Sequence, residues 1–170
     1  RYDEAIATIK FTIGCSGDDS YVLYVLGYAQ CQTESFVESE MALRCSLQIS
    51  PTRAPAFNDL GAVLFRQRRH TEGLKYIRRA LELQPDLPEA EESDSIWMLR
   101  YGQFREGWKK YEARFRTVIG TPMRRSFPQP QWQGEPLNGK TILIHMEQGF
   151  GDAIQFVRYI PLVAARGATV

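Results

Sequence analysis

A chain of 170 residues with 44% hydrophobic and 24% charged side chains is a globular protein, not a disordered one. A net charge of +1 excludes a bulk electrostatic pull toward nucleic acid or anionic lipid. No apolar run approaches the ~18 residues of a membrane span. The charge is uneven, with three basic and seven acidic side chains in residues 1–50. Cys15, Cys31 and Cys45 form an odd set with no C-x-x-C spacing and no Cys/His cluster. They are expected to be small buried residues in reduced helices, and no metal site is expected. No signal peptide is visible and the chain begins at Arg1, so a missing true N-terminus and a cytoplasmic location are the expectations.

Residues 1–19 read as the second half of a helical repeat, with Ala5 and Ile9 in phase with the repeats after it. The phase is set by residues 54–87, 34 residues long. Phe57, Leu60 and Gly61 come early in it, Gly73, Ile77 and Ala80 in the middle, and Pro85 near the end. This is the spacing of a tetratricopeptide repeat: two antiparallel helices with small residues at their crossing and a proline at the exit. One period earlier, residues 20–53 place Leu23, Leu26 and Gly27, then Ser39, Leu43, Ser46 and Pro51, at the same positions. One period later, residues 88–121 place Ser95, the turn glycine Gly102, Gly107 and Tyr111. Position 119 lacks the exit proline, although Pro122 stands close behind it.

Each helix pair has too little apolar surface to fold alone and must stack on its neighbours. Proline ends a helix because it lacks the amide and clashes with the preceding turn. Stacked pairs curl, and the first helices are expected to line a concave face. Tyr21, Tyr24, Tyr28, Asn58, Phe65 and Arg66 fall there. Aromatic and arginine side chains suit capture of a protein or peptide; the tyrosines are equally suited to packing between repeats. Arg66, Arg68, Arg69, Lys75, Arg78 and Arg79 form a basic cluster, followed by an acidic one at Glu82, Asp86, Glu89, Glu91, Glu92 and Asp94. Intramolecular pairing on solvated helix faces is the expectation, and RNA binding the weaker alternative.

From about Thr117 the helical pattern dissolves. Residues 117–139 hold four prolines and three glycines, a connector. Trp132 and Leu137 imply that it lies against something. Residues 122–140 are accordingly assigned as a linker. Residues 141–146 read as a strand buried on both faces, followed by a glycine-bearing loop and a helix over 152–166 with Pro161 as a kink or restart. Gly167 is placed to stop the helix, and residues 168–170 begin a second strand. The expected fold is therefore mainly α, a tetratricopeptide-repeat helical solenoid over 1–121. The first β–α–β of a doubly wound, Rossmann-like α/β domain would occupy 141–170.

The loop after the first strand is the one stretch with a mechanistic signature. Gly149 and Gly151 free the backbone to turn sharply and present amides at a helix start, which suits an anion. Asp152 is either a helix cap or a general base at a cleft. His145 and Glu147 are secondary candidates.

The runs LRYGQFREGWKKYEARF (99–115) and PQWQGEPLNGKTILIHMEQGFGDAIQFVRYIPLVAARGATV (130–170) resemble the junction of bacterial tetratricopeptide-repeat glycosyltransferases. There, repeats precede a domain similar to the heptosyltransferases, in a layout also similar to the O-linked N-acetylglucosamine transferases. The resemblance implies two facing Rossmann-like lobes and a nucleotide-sugar donor as substrate, with no cofactor. It implies Asp152 as the acceptor-activating base, with Gly149 and Gly151 bordering donor and acceptor. It also implies that these 170 residues are a fragment without turnover of their own. The alternative is a non-catalytic scaffold that binds protein through the repeats.

Overall fold

The structure, a computed structural model, describes residues 2–4, 6–7, 20–118, 120, 125, 127–147 and 149–170. It divides into two compact units, Arg1–Thr117 and Val118–Val170.

The first unit is a stack of helix pairs. Residues 2–4 and 6–7 are helical; Ala5, Ile9 and Cys15 lie outside the described residues, as does Pro122. Three pairs come next in the chain. They are α1 (Ser20–Gln32) with α2 (Phe36–Ile49), α3 (Ala54–Arg66) with α4 (His70–Leu83), and α5 (Pro88–Arg100) with α6 (Phe104–Tyr111). A 3-10 turn, Glu112–Arg116, continues α6.

The small residues sit where the helices cross. A Cβ on Gly61 would meet Ile77 Cγ1 at 2.6 Å and the Gly73 carbonyl oxygen at 2.8 Å. One repeat earlier the position of Gly73 holds Ser39, which is fully buried. Its hydroxyl donates to the Gly27 carbonyl at 2.6 Å, so a polar side chain is tolerated because the crossing itself satisfies it. Pro51 and Pro85 each stand two residues past the end of a second helix.

The turn inside each pair repeats as strictly as the core. Glu34, Arg68 and Gly102, one period apart, all have left-handed backbone, with φ of 60°, 66° and 80°. Around each, the same two bonds close the first helix. Its neighbour's amide reaches back five residues: Ser35 to Gln30, Arg69 to Leu64 and Gln103 to Met98, all at 2.9 Å. The left-handed residue itself reaches back three, at 3.0–3.2 Å. This is the Schellman closure of a helix C-terminus. Only the third turn uses glycine, so Gly102→Ala is expected to cost about 1 kcal/mol. Urea unfolding followed by circular dichroism reads this; an unchanged midpoint would show that the turn relaxes.

The core is continuous along the stack. Leu43, Leu47, Ala56, Leu60, Val63 and Leu64 form one cluster, with Tyr24, Phe57 and Tyr76 packed on it. Ala54, Ala80, Leu87 and Ala90 form the next. Successive first helices α1, α3 and α5 come near one another at a few backbone positions. The second helices α2 and α4 are joined by long side chains instead. Arg44 on α2 donates to Glu72 at 2.8 Å and to the Tyr76 hydroxyl at 2.7 Å, and Arg69 donates to Glu40 at 2.7 Å. The first helices therefore lie on the inner, tighter side. In the third pair Lys110 ion-pairs with Asp94, which is buried.

The second unit departs from the expectation. Among its described residues no strand forms; there is one isolated parallel bridge, Thr141 to Thr169. The Ile142 amide donates to the Thr169 carbonyl at 2.8 Å, and the Thr169 amide to Lys140 at 3.1 Å. Residues 143–146, expected to be buried on both faces, are exposed, with Leu143 at 67%. Helices α7 (Phe150–Phe156) and α8 (Ile160–Ala164), joined by a 3-10 turn at Val157–Tyr159, bury no residue. The short aliphatic run of a buried strand is present, but a strand needs neighbours to satisfy its backbone, and a single bridge supplies one. The doubly wound, Rossmann-like β–α–β is therefore not formed in the described residues.

Other local features follow the sequence more closely. Pro161 stands in the first turn of α8, so it restarts the helix, and Gly167 (φ 86°) lies just past its end. Leu137 is buried, and Trp132 donates from Nε1 to the Glu135 carbonyl at 2.8 Å beneath the Arg166 guanidinium.

Candidate protein-interaction site

The inner side of the first unit gathers most of the residues expected there. Tyr21 and Tyr28 on α1 are exposed, and Arg66 is exposed on α3. Tyr24 and Phe65 are half-buried, and Asn58 is only 5% exposed. Tyr21 and Tyr24 lie with ring centroids 6.1 Å apart. The Arg53 guanidinium sits over both rings, at 5.4 and 5.7 Å, and donates to the Ser20 hydroxyl at 3.2 Å. The tyrosines therefore do two things at once: Tyr24 packs on the core cluster, while Tyr21 and Tyr28 face outward.

The centre of this side is a residue that the concave-face pattern does not include, Asp59. Its carboxylate accepts from Asn58 Nδ2 at 3.2 Å and from the Tyr24 hydroxyl across the α1–α3 seam. Burial pushes its carboxyl up from an ordinary 3.8 to about 6, against those two donors, and Glu89 on α5 adds like charge. Burial and the neighbouring carboxylate push the Tyr24 phenol well above its ordinary range. The thiol of Cys31 is raised in the same way, chiefly by burial and then by Asp59. Glu92 on α5 is also raised, by burial first and Glu89 second. Asn58 Oδ1 is buried with no hydrogen-bond partner. The sequence signal for Asp59 is its phase: it falls 34 residues after Val25, beside Asn58.

The outer side is closed in a different way. Arg69 pairs with Glu40 and Glu72, and Arg79 with Glu82. Between the sides, Arg66 on α3 lies over the Phe36 ring of α2 at 5.8 Å and Arg78 on α4 over Trp97 of α5 at 5.7 Å, so each links a second helix to the next first helix. Most of the basic cluster is thus engaged within the chain. Cys31 is half-buried as expected, but Cys45 is exposed on α2, since its position in the helix faces away from the core.

The glycine loop of the second unit gathers little. Gly149 precedes α7 with φ 55°, Gly151 has open space around it, and Asp152 is exposed in the first turn. His145 is exposed, its ring 5.1 Å from Phe127 and its Nδ1 3.1 Å from the Met146 carbonyl oxygen. Glu147 is exposed as well. Among the described residues no group of three or more His, Cys, Asp or Glu side chains is arranged to hold a metal ion.

No protein-family model matches the chain. It is 27% identical over 175 residues to Protein FlbA of Caulobacter vibrioides, an alignment covering 98% of this chain. The chain spans 29% of the length of that curated relative. Among solved structures, a crystal structure of MamA superposes with a TM-score of 0.58 at 19% identity, covering 66% of each chain. A second MamA crystal structure gives 0.58 at 17% identity, covering 76% of this chain and 70% of that one. The fold is therefore a mainly helical, tetratricopeptide-like solenoid. These comparisons overturn the resemblance to tetratricopeptide-repeat glycosyltransferases. The similar proteins are FlbA and MamA, and the α/β lobe that the resemblance requires is not formed in the described residues. The nucleotide-sugar substrate and the base role of Asp152 lose their support with it.

Proposed function

We propose that the chain is a protein-interaction scaffold that takes up a segment of a partner protein on the inner side of its helical repeats. The observation that carries this reading is the contrast between the two sides. On the outer side, guanidinium groups and carboxylates satisfy one another. On the inner side, Tyr21 and Tyr28 are exposed beside a buried amide oxygen without a partner, that of Asn58, and the half-buried Asp59 carboxylate, which has only neutral donors. Aromatic rings with a few buried polar groups are the usual anchors of protein recognition. Repeats 20–53, 54–87 and 88–121 are the units of this surface in our proposal, with Tyr21, Tyr28 and Arg66 as its contact residues. Among the described residues no helix is long and apolar enough to cross a membrane.

Site-specific photo-crosslinking in cells tests the reading. A benzophenone amino acid at position 28 is expected to give one discrete adduct, lost when Tyr21 is also changed to Ala. The same probe at position 37, exposed on α2, is expected to give none. Equal adducts from both positions, or none at position 28, would remove the inner side as the binding face.

A further inference from the structure

We propose that the inner side carries a seat for one lysine or arginine side chain of the partner segment, formed by the Asp59 carboxylate and Asn58 Oδ1 between Tyr24 and Tyr28. This deepens the scaffold reading and rests on it.

Two acceptor groups of this cluster lack a full set of donors. Asn58 turns its amide nitrogen to Asp59 at 3.2 Å, so its amide oxygen lies in the same small cluster. That oxygen is buried and has no partner, and the residue as a whole is 5% exposed. Buried amide oxygens are almost always hydrogen-bonded, so an orphan marks a place where a donor belongs. Beside it, Asp59 has two neutral donors, the Tyr24 hydroxyl and the Asn58 amide, and no ion pair with any described lysine or arginine. The charged group that faces it from α5 is Glu89, of the same sign. From α1 it is faced by Tyr24, Tyr28 and Cys31.

Among the described residues, the cations nearest the cluster are engaged with other partners. Arg53 is engaged with Ser20 and the faces of Tyr21 and Tyr24, and Arg66 lies over Phe36. The cluster therefore offers two adjacent acceptors, one charged, and lacks one cation with at least two donors. An ammonium carries three donors and a guanidinium five, enough for both oxygens. An anionic side chain would be repelled by Asp59 and Glu89, and an aliphatic one would leave Oδ1 unpaired. Tyrosine rings beside the carboxylate suit a cation further, through attraction to the ring face. The raised carboxyl of Asp59 is what a buried carboxylate without its counter-ion shows.

The test is a titration of the whole chain followed by NMR of its side-chain amides and carboxyls. The probes are acetyl-arginine amide and acetyl-lysine amide, with acetyl-citrulline amide as the neutral isostere. The cationic probes are expected to move the Asn58 side-chain amide and to lower the Asp59 titration midpoint. They should bind about tenfold or more tightly than citrulline, as a charge-assisted hydrogen bond outweighs a neutral one. Asp59→Asn keeps the shape and should abolish that preference. Equal shifts with citrulline, or a preference that survives Asp59→Asn, would overturn the seat. If the seat fails while position 28 still cross-links a discrete partner, the scaffold reading stands and only the cation is wrong. Loss of the cross-link with the preference intact would leave a cation site without the scaffold.

Discussion

Gly61→Ala is expected to destabilise the repeat unit by about 2 kcal/mol, although alanine is the better helix former. The propensity gain in a helix interior is about 1 kcal/mol. Against it, the new methyl would stand 2.6 Å from Ile77 Cγ1 and 2.8 Å from the Gly73 carbonyl oxygen. Ile77 is fully buried and has no room to turn away, and the carbonyl belongs to helix backbone. Separating α3 from α4 to admit the methyl loosens the packing around Leu60 and Leu64 as well, and such overpacking costs about 1–3 kcal/mol beyond any local gain. Gly151→Ala is the control, because nothing lies within 4 Å of the added carbon. Chemical unfolding of both variants should separate them; a Gly61→Ala protein as stable as its parent would mean the helix crossing is not close-packed.

Asp59→Asn should act in the opposite direction, raising stability near neutral pH by about 2–3 kcal/mol. The folded carboxyl titrates at about 6 and an ordinary one at 3.8, so the folded state binds the proton more tightly. Stability contributed by this group therefore falls as pH rises through that window, and the full penalty for ionised Asp59 is present above it. Asparagine carries no charge and escapes the penalty. The gain should be complete at about pH 8 and absent at about pH 3, where the aspartate is protonated in both states. A gain independent of pH would show that packing, not the buried charge, is responsible. A carboxylate that costs stability and has a neutral substitute of the same shape is a feature to be explained by binding.

The repeats were legible because their determinants are short-range. Gly27, Gly61, Gly73 and Gly107 mark close approaches within one helix pair, and Pro51 and Pro85 mark helix ends. One residue type at one spacing carries each of these facts. Asp59 was less legible because its environment is assembled across helices, from Tyr24 on α1 and Glu89 on α5. As a letter beside Asn58 it reads only as a polar residue in a helix. The stretch 141–146 misled for the related reason that a short apolar run reports what a segment would do beside a partner. It does not report whether the partner strand is there, and here Thr169 alone bridges to Thr141. The glycosyltransferase resemblance was carried mainly by residues 99–170, which include this same segment, and so inherited the error.

The two sides of the solenoid also differ in mechanical character. Inside, apolar side chains packed between successive helices resist being compressed or pulled apart, since any gap forfeits dispersion contacts at once. Outside, Arg44 and Arg69 span from α2 to α4 on flexible stems with their charged tips on Glu72 and Glu40. Such links stretch by changing rotamer and weaken with added salt. The array is thus a spring with a stiff inner leaf and a soft outer one. The glycine crossings fix the geometry inside each pair, while resistance to bending between α2 and α4 depends on ionic strength. A segment laid along the tyrosines would feel that stiffness as part of the work of closing around it.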